Sequence, residues 1–268
     1  MKRLMHIAIP LLIIGDAGCA TQETGGEIVT FRAYAGGPEG TDGSLEFDTD
    51  SGFHVRLMTA KIHIGAVYMR LGKTNPGSAE SSCVADTTYG LEVPGGGDFD
   101  VLTESLHEFE ALGNATSDID QSGEIWLTGG DINQVTDPTV IAEVAGVAEQ
   151  ASVSYTFRGV MTISDNRVVP PSNPAKPGAN PICKQRIVTP IPLLIQPRFG
   201  GRLILRIDPR RWVGGINFAT LTPADDPNVL EIPDVSSGAG GDAAAGRALF
   251  VGVTGASDSV YHFSWSNL

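Results

Sequence analysis

Signatures of covalent and metal catalysis are missing from this chain. No Gly-x-Ser-x-Gly occurs, so there is no nucleophile elbow. Neither a His-Glu-x-x-His pair nor a P-loop is present, and His107-Glu108 lacks the second histidine. Positive charge is scarce as well. Eighteen Lys and Arg face 31 Asp and Glu, for a formal net charge of −13. Such a chain repels phosphate backbones, which argues against a nucleic-acid partner. No basic run offers a surface for anionic lipid. A spanning segment is lacking too. The apolar stretch Met5–Ile14 is about ten residues, ~15 Å as a helix, against a hydrocarbon core of ~30 Å. Histidine and methionine do not converge. Strand parity puts His54 and Met58 on one side and His63 and Met69 on the other, so without a bulge they cannot converge on a copper ion.

Glycine and proline are abundant, at 33 and 17 residues, while 41% of the chain is hydrophobic. That composition excludes disorder. Frequent turns between short apolar runs point to an all-β fold. The expected architecture is an antiparallel β-sandwich with long Gly/Pro-rich loops and little helix. "EIVTFRAYA" alternates cleanly. In "GFHVRLMTAKIHIGAVYMRL", Phe53, Val55 and Leu57 share one parity while Ala60, Ile62 and Ile64 share the other. This requires a bulge or turn between Met58 and Ala60, or burial on both faces. Leu102, Leu106 and Phe109 have helical spacing and predict a short helix between Phe99 and Leu112. The segment from Val140 reads as a hairpin turning near Glu149–Ala151, with a helix after Asp137-Pro138 as the alternative. "KQRIVTPIPLLIQP", "GGRLILRID", "INFATL", "RALFVGV" and "SVYHFSW" read as further strands.

The N-terminus has the three-part layout of an export signal. Lys2 and Arg3 precede the apolar stretch, and small residues lead into Cys19. Ala17-Gly18-Cys19 resembles the lipobox of bacterial lipoproteins. One place earlier that family prefers Leu or a similar apolar residue, and here stands Asp16. The resemblance implies removal of residues 1–18, lipid on Cys19, and membrane attachment without a spanning segment. Ala20 in place of Asp implies sorting to the outer membrane. Ordinary secretion, with cleavage near Ala17 or Ala20, is the alternative. Residues 19–27 then form a polar tether, and 28–268 a single β-sandwich-like domain. Loss of residues 1–18 moves the charge from −13 to −14, because two basic residues and one acidic residue leave.

If Cys19 carries lipid, Cys83 and Cys183 remain, an even number for an oxidising compartment. A Cys83–Cys183 disulfide is expected, closing a loop of about 100 residues and worth ~4–5 kcal/mol in the chain-entropy model.

Two stretches carry candidate binding chemistry. In "DIDQSGEIWL", Asp118, Asp120, Ser122 and the Glu124 carbonyl fall at the first, third, fifth and seventh positions of an EF-hand-like loop, with Gly123 at the sixth. Hard Ca²⁺ takes six to eight oxygens, and this turn supplies several of them. Ca²⁺ is the one cofactor the sequence points to. Position twelve is Gly129 rather than Glu. "FDTDSG", Phe47 to Gly52, repeats the Asp-x-Asp spacing as a plain turn. "RIDPRRWVGGINF" places Arg210, Arg211 and Trp212 in an acidic chain, a candidate surface for an anionic or sugar ligand. The functional expectation is a cell-envelope lipoprotein with a binding or structural domain, its partner an envelope protein or polysaccharide. A calcium-dependent carbohydrate- or protein-binding module and an envelope hydrolase using carboxylates are the alternatives, with the balance against an enzyme.

Overall fold

The computed structural model describes residues 27–72, 89–127, 139–162, 187–223, 225–233 and 241–267. Cys19, Cys83 and Cys183 lie outside them, and so do the lipid and disulfide expectations. The described strands are β1 (Ile28–Gly36), β2 (Leu45–Asp48), β3 (His54–Ile64), β4 (Ala66–Arg70), β5 (Tyr89–Val93), β6 (Gly97–Asp100), β7 (His107–Glu108), β8 (Gly113–Thr116), β9 (Asp120–Trp126), β10 (Val140–Gln150), β11 (Val153–Thr162), β12 (Ile187–Ile195), β13 (Gly201–Ile207), β14 (Leu230–Ile232) and β15 (Tyr261–Asn267). Helices α1 (Arg210–Val213) and α2 (Gly241–Thr254) and one 3₁₀ turn, Phe218–Thr220, complete the described elements.

The fold is all-β. One sheet runs β12-β9-β4-β5-β8-β1-β13-β15, with β7 also pairing β1. Its outer strands β12 and β15 approach each other, so the sheet curls toward a barrel. The second sheet runs β14-β11-β10-β3-β2, with β6 also pairing β3. Most pairs are antiparallel. The pairs β1 with β13 and β11 with β14 are parallel, which makes both sheets mixed. A single apolar cluster joins the inner faces of the two sheets and the buried sides of α1 and α2.

Period-two patterning explains most strands. In β1, Val29, Phe31 and Ala33 are buried while Ile28, Thr30 and Arg32 face out. In β3, Thr59 pairs Ala145 and Leu57 pairs Gly146, leaving Met58 as an unpaired bulge residue, half exposed. The bulge resets parity, so Phe53, Val55 and Leu57 on one side of it and Ala60, Ile62 and Ile64 on the other all reach the core. Gly65 then breaks the run, and β4 continues in the other sheet. The hairpin β10–β11 turns at Ala151–Ser152, both with left-handed φ as a two-residue turn of this kind requires.

Three expectations fail. No helix forms between Phe99 and Leu112. The backbone there pairs outward instead, with Val101 N–H donating to Ala60, Glu104 N–H to Thr41 and Phe109 N–H to Ala33. Leu102 and Phe109 reach the core from a loop, and their helical spacing is coincidental. "RALFVGV" is the second half of α2 rather than a strand. Ala245, Leu249 and Val253 are buried at four-residue intervals, one face of a helix. "INFATL" contains the 3₁₀ turn, where the Asn217 side chain accepts from Ala219 N–H and caps it.

Strand register sorts the loops of the larger sheet into two ends. Ile28 pairs Thr116, Tyr89 and Ser122 both pair Arg70, Asp120 pairs Ile195, and Gly201 pairs Asn267. All of these lie at the end where the described chain begins. At the other end, Ile207 leads through Asp208 and Pro209 into α1.

Candidate functional site

The expected calcium loop is not formed. Asp120–Trp126 is extended as β9, paired with β4 on one side and β12 on the other. Strand geometry throws Asp120, Ser122, Glu124 and Trp126 to one face in a line, about 7 Å between successive members, rather than around a cation. Gly123 faces the other way, and a side chain there would press on Leu193 and Phe263 at 2.8 and 3.0 Å. Among the described residues no three His, Cys, Asp or Glu side chains gather into a metal site.

Each β9 side chain has its own role. Glu124 is 1% exposed and forms an ion pair with Arg70, itself buried. Trp126 Nε1 donates to Glu124 Oε1 at 2.6 Å, and Tyr89 OH donates to the same oxygen at 3.4 Å. The Arg70 guanidinium lies over the Tyr89 ring, 5.3 Å from its centroid. Burial, then the Glu124 charge, raise the Tyr89 phenol above its usual range. Ser122 Oγ donates to the Gly72 carbonyl at 3.1 Å. Asp118 is exposed in the preceding loop. Asp120 is fully buried, and neither carboxylate oxygen has a hydrogen-bond partner. Burial, reinforced by the Asp118 charge, pushes it up to about 7. A Cβ on Gly90 would collide with Asp120 Oδ1, so β5 shuts the carboxylate in from the side. The row is therefore a buried ion pair beside a carboxyl group held close to neutrality.

The second candidate stretch forms a cleft. Asp208 Oδ1 accepts from Arg210 N–H at 3.0 Å and from Arg210 Nε at 3.1 Å, which opens α1. The short helix divides its side chains sharply. Trp212 and Val213 are 0% exposed in the core, while Arg210 and Arg211 face out. Trp212 thus anchors the helix in the core and does not face the surface where a ligand contact was expected of it. Helix α2 packs against α1 at Gly252, where any side chain would run into the Arg211 carbonyl and Trp212 Cα. That contact sets Arg247, one turn earlier, on the rim beside Arg210 and Arg211. The β2–β3 turn, "DTDS", also lines the cleft. Thr49 Oγ1 and Ser51 Oγ lie 3.0 Å apart, and Gly52 at φ +81° closes the turn. Asp48 and Asp50 belong to this turn, and Asp48 also takes His54 Nδ1 at 2.9 Å. The cleft measures about 1070 Å³, with Ala248, Val251, Gly214 and Gly215 contributing an apolar floor.

Among the described residues Arg198, Arg202, Arg206, Arg211 and Arg247 have no carboxylate within ion-pair distance, whereas Arg32, Arg56, Arg70 and Arg210 each have one and Arg158 has two. Of these five, Arg211 and Arg247 line the same cleft, in a chain of net charge −13. Sequence reasoning found Arg210 and Arg211. It missed Arg247, because that segment reads as a strand, and it missed that "FDTDSG" would line the same cleft as the arginines. No helix among the described residues is long and apolar enough to cross a membrane. No protein-family model, curated protein or solved structure matches the chain.

Proposed function

We propose that this protein is a cell-envelope lipoprotein, held at the outer membrane by lipid on Cys19, whose β-sandwich binds an anionic ligand in the α1–α2 cleft. The unpaired guanidinium groups of Arg211 and Arg247 on that cleft carry the reading. Guanidinium forks match carboxylates bidentately, and their weak hydration favours such pairing. Asp48 and Asp50 on the same cleft accept hydrogen bonds, which suits hydroxyl groups. Together these groups favour an acidic saccharide, carboxylates toward the arginines and hydroxyls toward the aspartates. Asp118, Asp120, Ser122 and Glu124 take no part in this reading, because β9 commits the last three elsewhere and Asp118 stands in the loop before it.

Calorimetric titration with oligogalacturonate as the anionic probe tests the cleft. Saturable binding is expected at low ionic strength, weakening with salt as exposed charge pairs do. Arg211→Ala and Arg247→Ala should each weaken it by about tenfold, about 1.4 kcal/mol, while Arg198→Ala on the far end leaves it unchanged. Equal affinities in all four proteins would remove the cleft from the argument.

The address has its own test. The mass of the N-terminal peptide of the exported protein should show acyl chains on Cys19 and no residues before it. Cys19→Ser should abolish partitioning into detergent. A peptide beginning near Ala17 or Ala20, without lipid, would mean ordinary secretion instead.

A further inference from the structure

The end of the larger sheet where the described chain begins is unusually apolar for an exposed surface. Ile28 is 76% exposed, Leu194 77% and Phe199 85%, and Ile119 is 46% exposed. These residues come from four places in the sequence, yet the pairing register brings them to one end. Ile28 opens β1 opposite Thr116. Ser117 N–H donates to the Glu27 carbonyl, so the loop carrying Ile119 lies beside the start of β1. Gln196 Nε2 donates to the Ser117 carbonyl at 3.1 Å, which ties the end of β12, with Leu194, to the same loop. Phe199 sits in the turn that leads into β13, whose first residues run parallel to β1.

Scattered exposed apolar residues need no explanation, but four large ones gathered at one end do. Charged groups are few among the described residues beside them, Glu27 and Asp118 against Arg198. A strongly charged partner therefore has little to hold here. A zwitterionic lipid interface, by contrast, accepts Phe, Leu and Ile side chains into the boundary between headgroups and acyl chains.

We infer that this end of the domain rests on the bilayer surface, with Phe199, Leu194, Ile28 and Ile119 inserted at the headgroup level. The inference rests on the lipid-anchor reading of Cys19. Ile28 follows Cys19 by only nine positions, and an extended chain covers ~3.3–3.6 Å per residue. The anchor thus keeps Ile28 within about 30 Å of the membrane, and a single docking contact fixes the domain's orientation. That orientation sends the arginine cleft away from the lipid. The cleft begins just past Ile207, at the far end of a strand whose first residue, Gly201, follows Phe199 by two positions. Seven strand residues span ~23 Å, so the ligand site opens outward into the surrounding space.

Tryptophan quenching in phosphatidylcholine vesicles tests this with the full exported protein. Phe199→Trp and Leu194→Trp each place a reporter on the apolar end, and Val153→Trp places one on the β10–β11 hairpin beside the cleft. After subtraction of the wild-type emission, spin-labelled phosphatidylcholine should quench the two end reporters at least twofold more than the hairpin reporter, about the contrast expected for insertion against full hydration. The end reporters should also shift to the blue on reconstitution. Equal quenching at residues 199, 194 and 153 in a chain whose Cys19 carries lipid would overturn this inference and leave the anchor standing. A vesicle preparation whose Cys19 proves bare by mass would overturn both.

Discussion

Arg70→Met should cost about 3–5 kcal/mol of folding free energy, the penalty for breaking a buried ion pair from one side. Arg70 and Glu124 are both almost wholly shielded from water. Removing the guanidinium strands Glu124 as a buried anion, with only Trp126 and Tyr89 still donating to it. Those donors satisfy a single oxygen, and neither carries charge. The Arg70 ring contact with Tyr89 disappears as well. The double change Arg70→Met with Glu124→Leu should recover more than half of the loss, because it removes both charges along with their desolvation cost. Urea unfolding reads both variants as shifts in midpoint at constant slope. A single-variant loss below about 0.5 kcal/mol would mean that Glu124 reaches water or another cation.

Asp120→Asn should stabilise the protein above neutral pH and do little near pH 4. The sign follows from proton binding. In the unfolded chain this carboxyl titrates near 3.8, and in the folded chain near 7. Between those values the folded state holds the proton and the unfolded state does not, so stability falls as pH rises through the window. Above about 7 the buried charge exacts its full penalty, about 4 kcal/mol at 1.36 kcal/mol per pH unit. Asparagine matches the carboxyl in shape and never ionises, so the variant escapes that slope. Thermal or urea unfolding at pH 4.5 and pH 8 should show the two proteins close together at the lower pH, with the variant ahead by about 2–4 kcal/mol at the higher one. Parallel pH profiles would show that Asp120 is already paired when ionised. The groups nearest in the chain, Asp118 and Glu124, are both acids, so the sequence itself supplies no cation to lower this titration.

Much of the fold is legible from strand patterning. β1 alternates from Ile28 to Ala35, with Val29, Phe31, Ala33 and Ala35 buried, before Gly36 ends the pattern. The parity conflict between Leu57 and Ala60 announces the bulge at Met58, since two core-facing sets cannot share one regular strand. The failures share a different cause. The second half of α2 is rich in Ala, Gly and Val, a composition that an alternating and a four-residue period both fit. Leu102 and Phe109 copy a helical period because loops also send apolar residues inward wherever the core has room.

The candidate sites divide along the same line. Asp118, Asp120, Ser122 and Glu124 satisfy a loop spacing in one dimension, yet pairing with β4 and β12 extends the last three into a strand and leaves Asp118 in the loop before it. A strand cannot bend its oxygens around one ion. Trp212 and Arg211 are adjacent in sequence, but one turn of helix sends the first inward and leaves the second outside. Local pattern, then, was enough for the β class, and it raised the β10–β11 hairpin and the bulge near Met58 beside their alternatives, because those depend on contacts between near neighbours or on a two-residue period. Only the tertiary structure could place Asp48 and Asp50 on one cleft with Arg210, Arg211 and Arg247, bury Asp120 without a partner, and collect Ile28, Ile119, Leu194 and Phe199 at one end. Each of these depends on strand order and register, which join residues up to about 200 positions apart and leave no trace in the spacing along the chain.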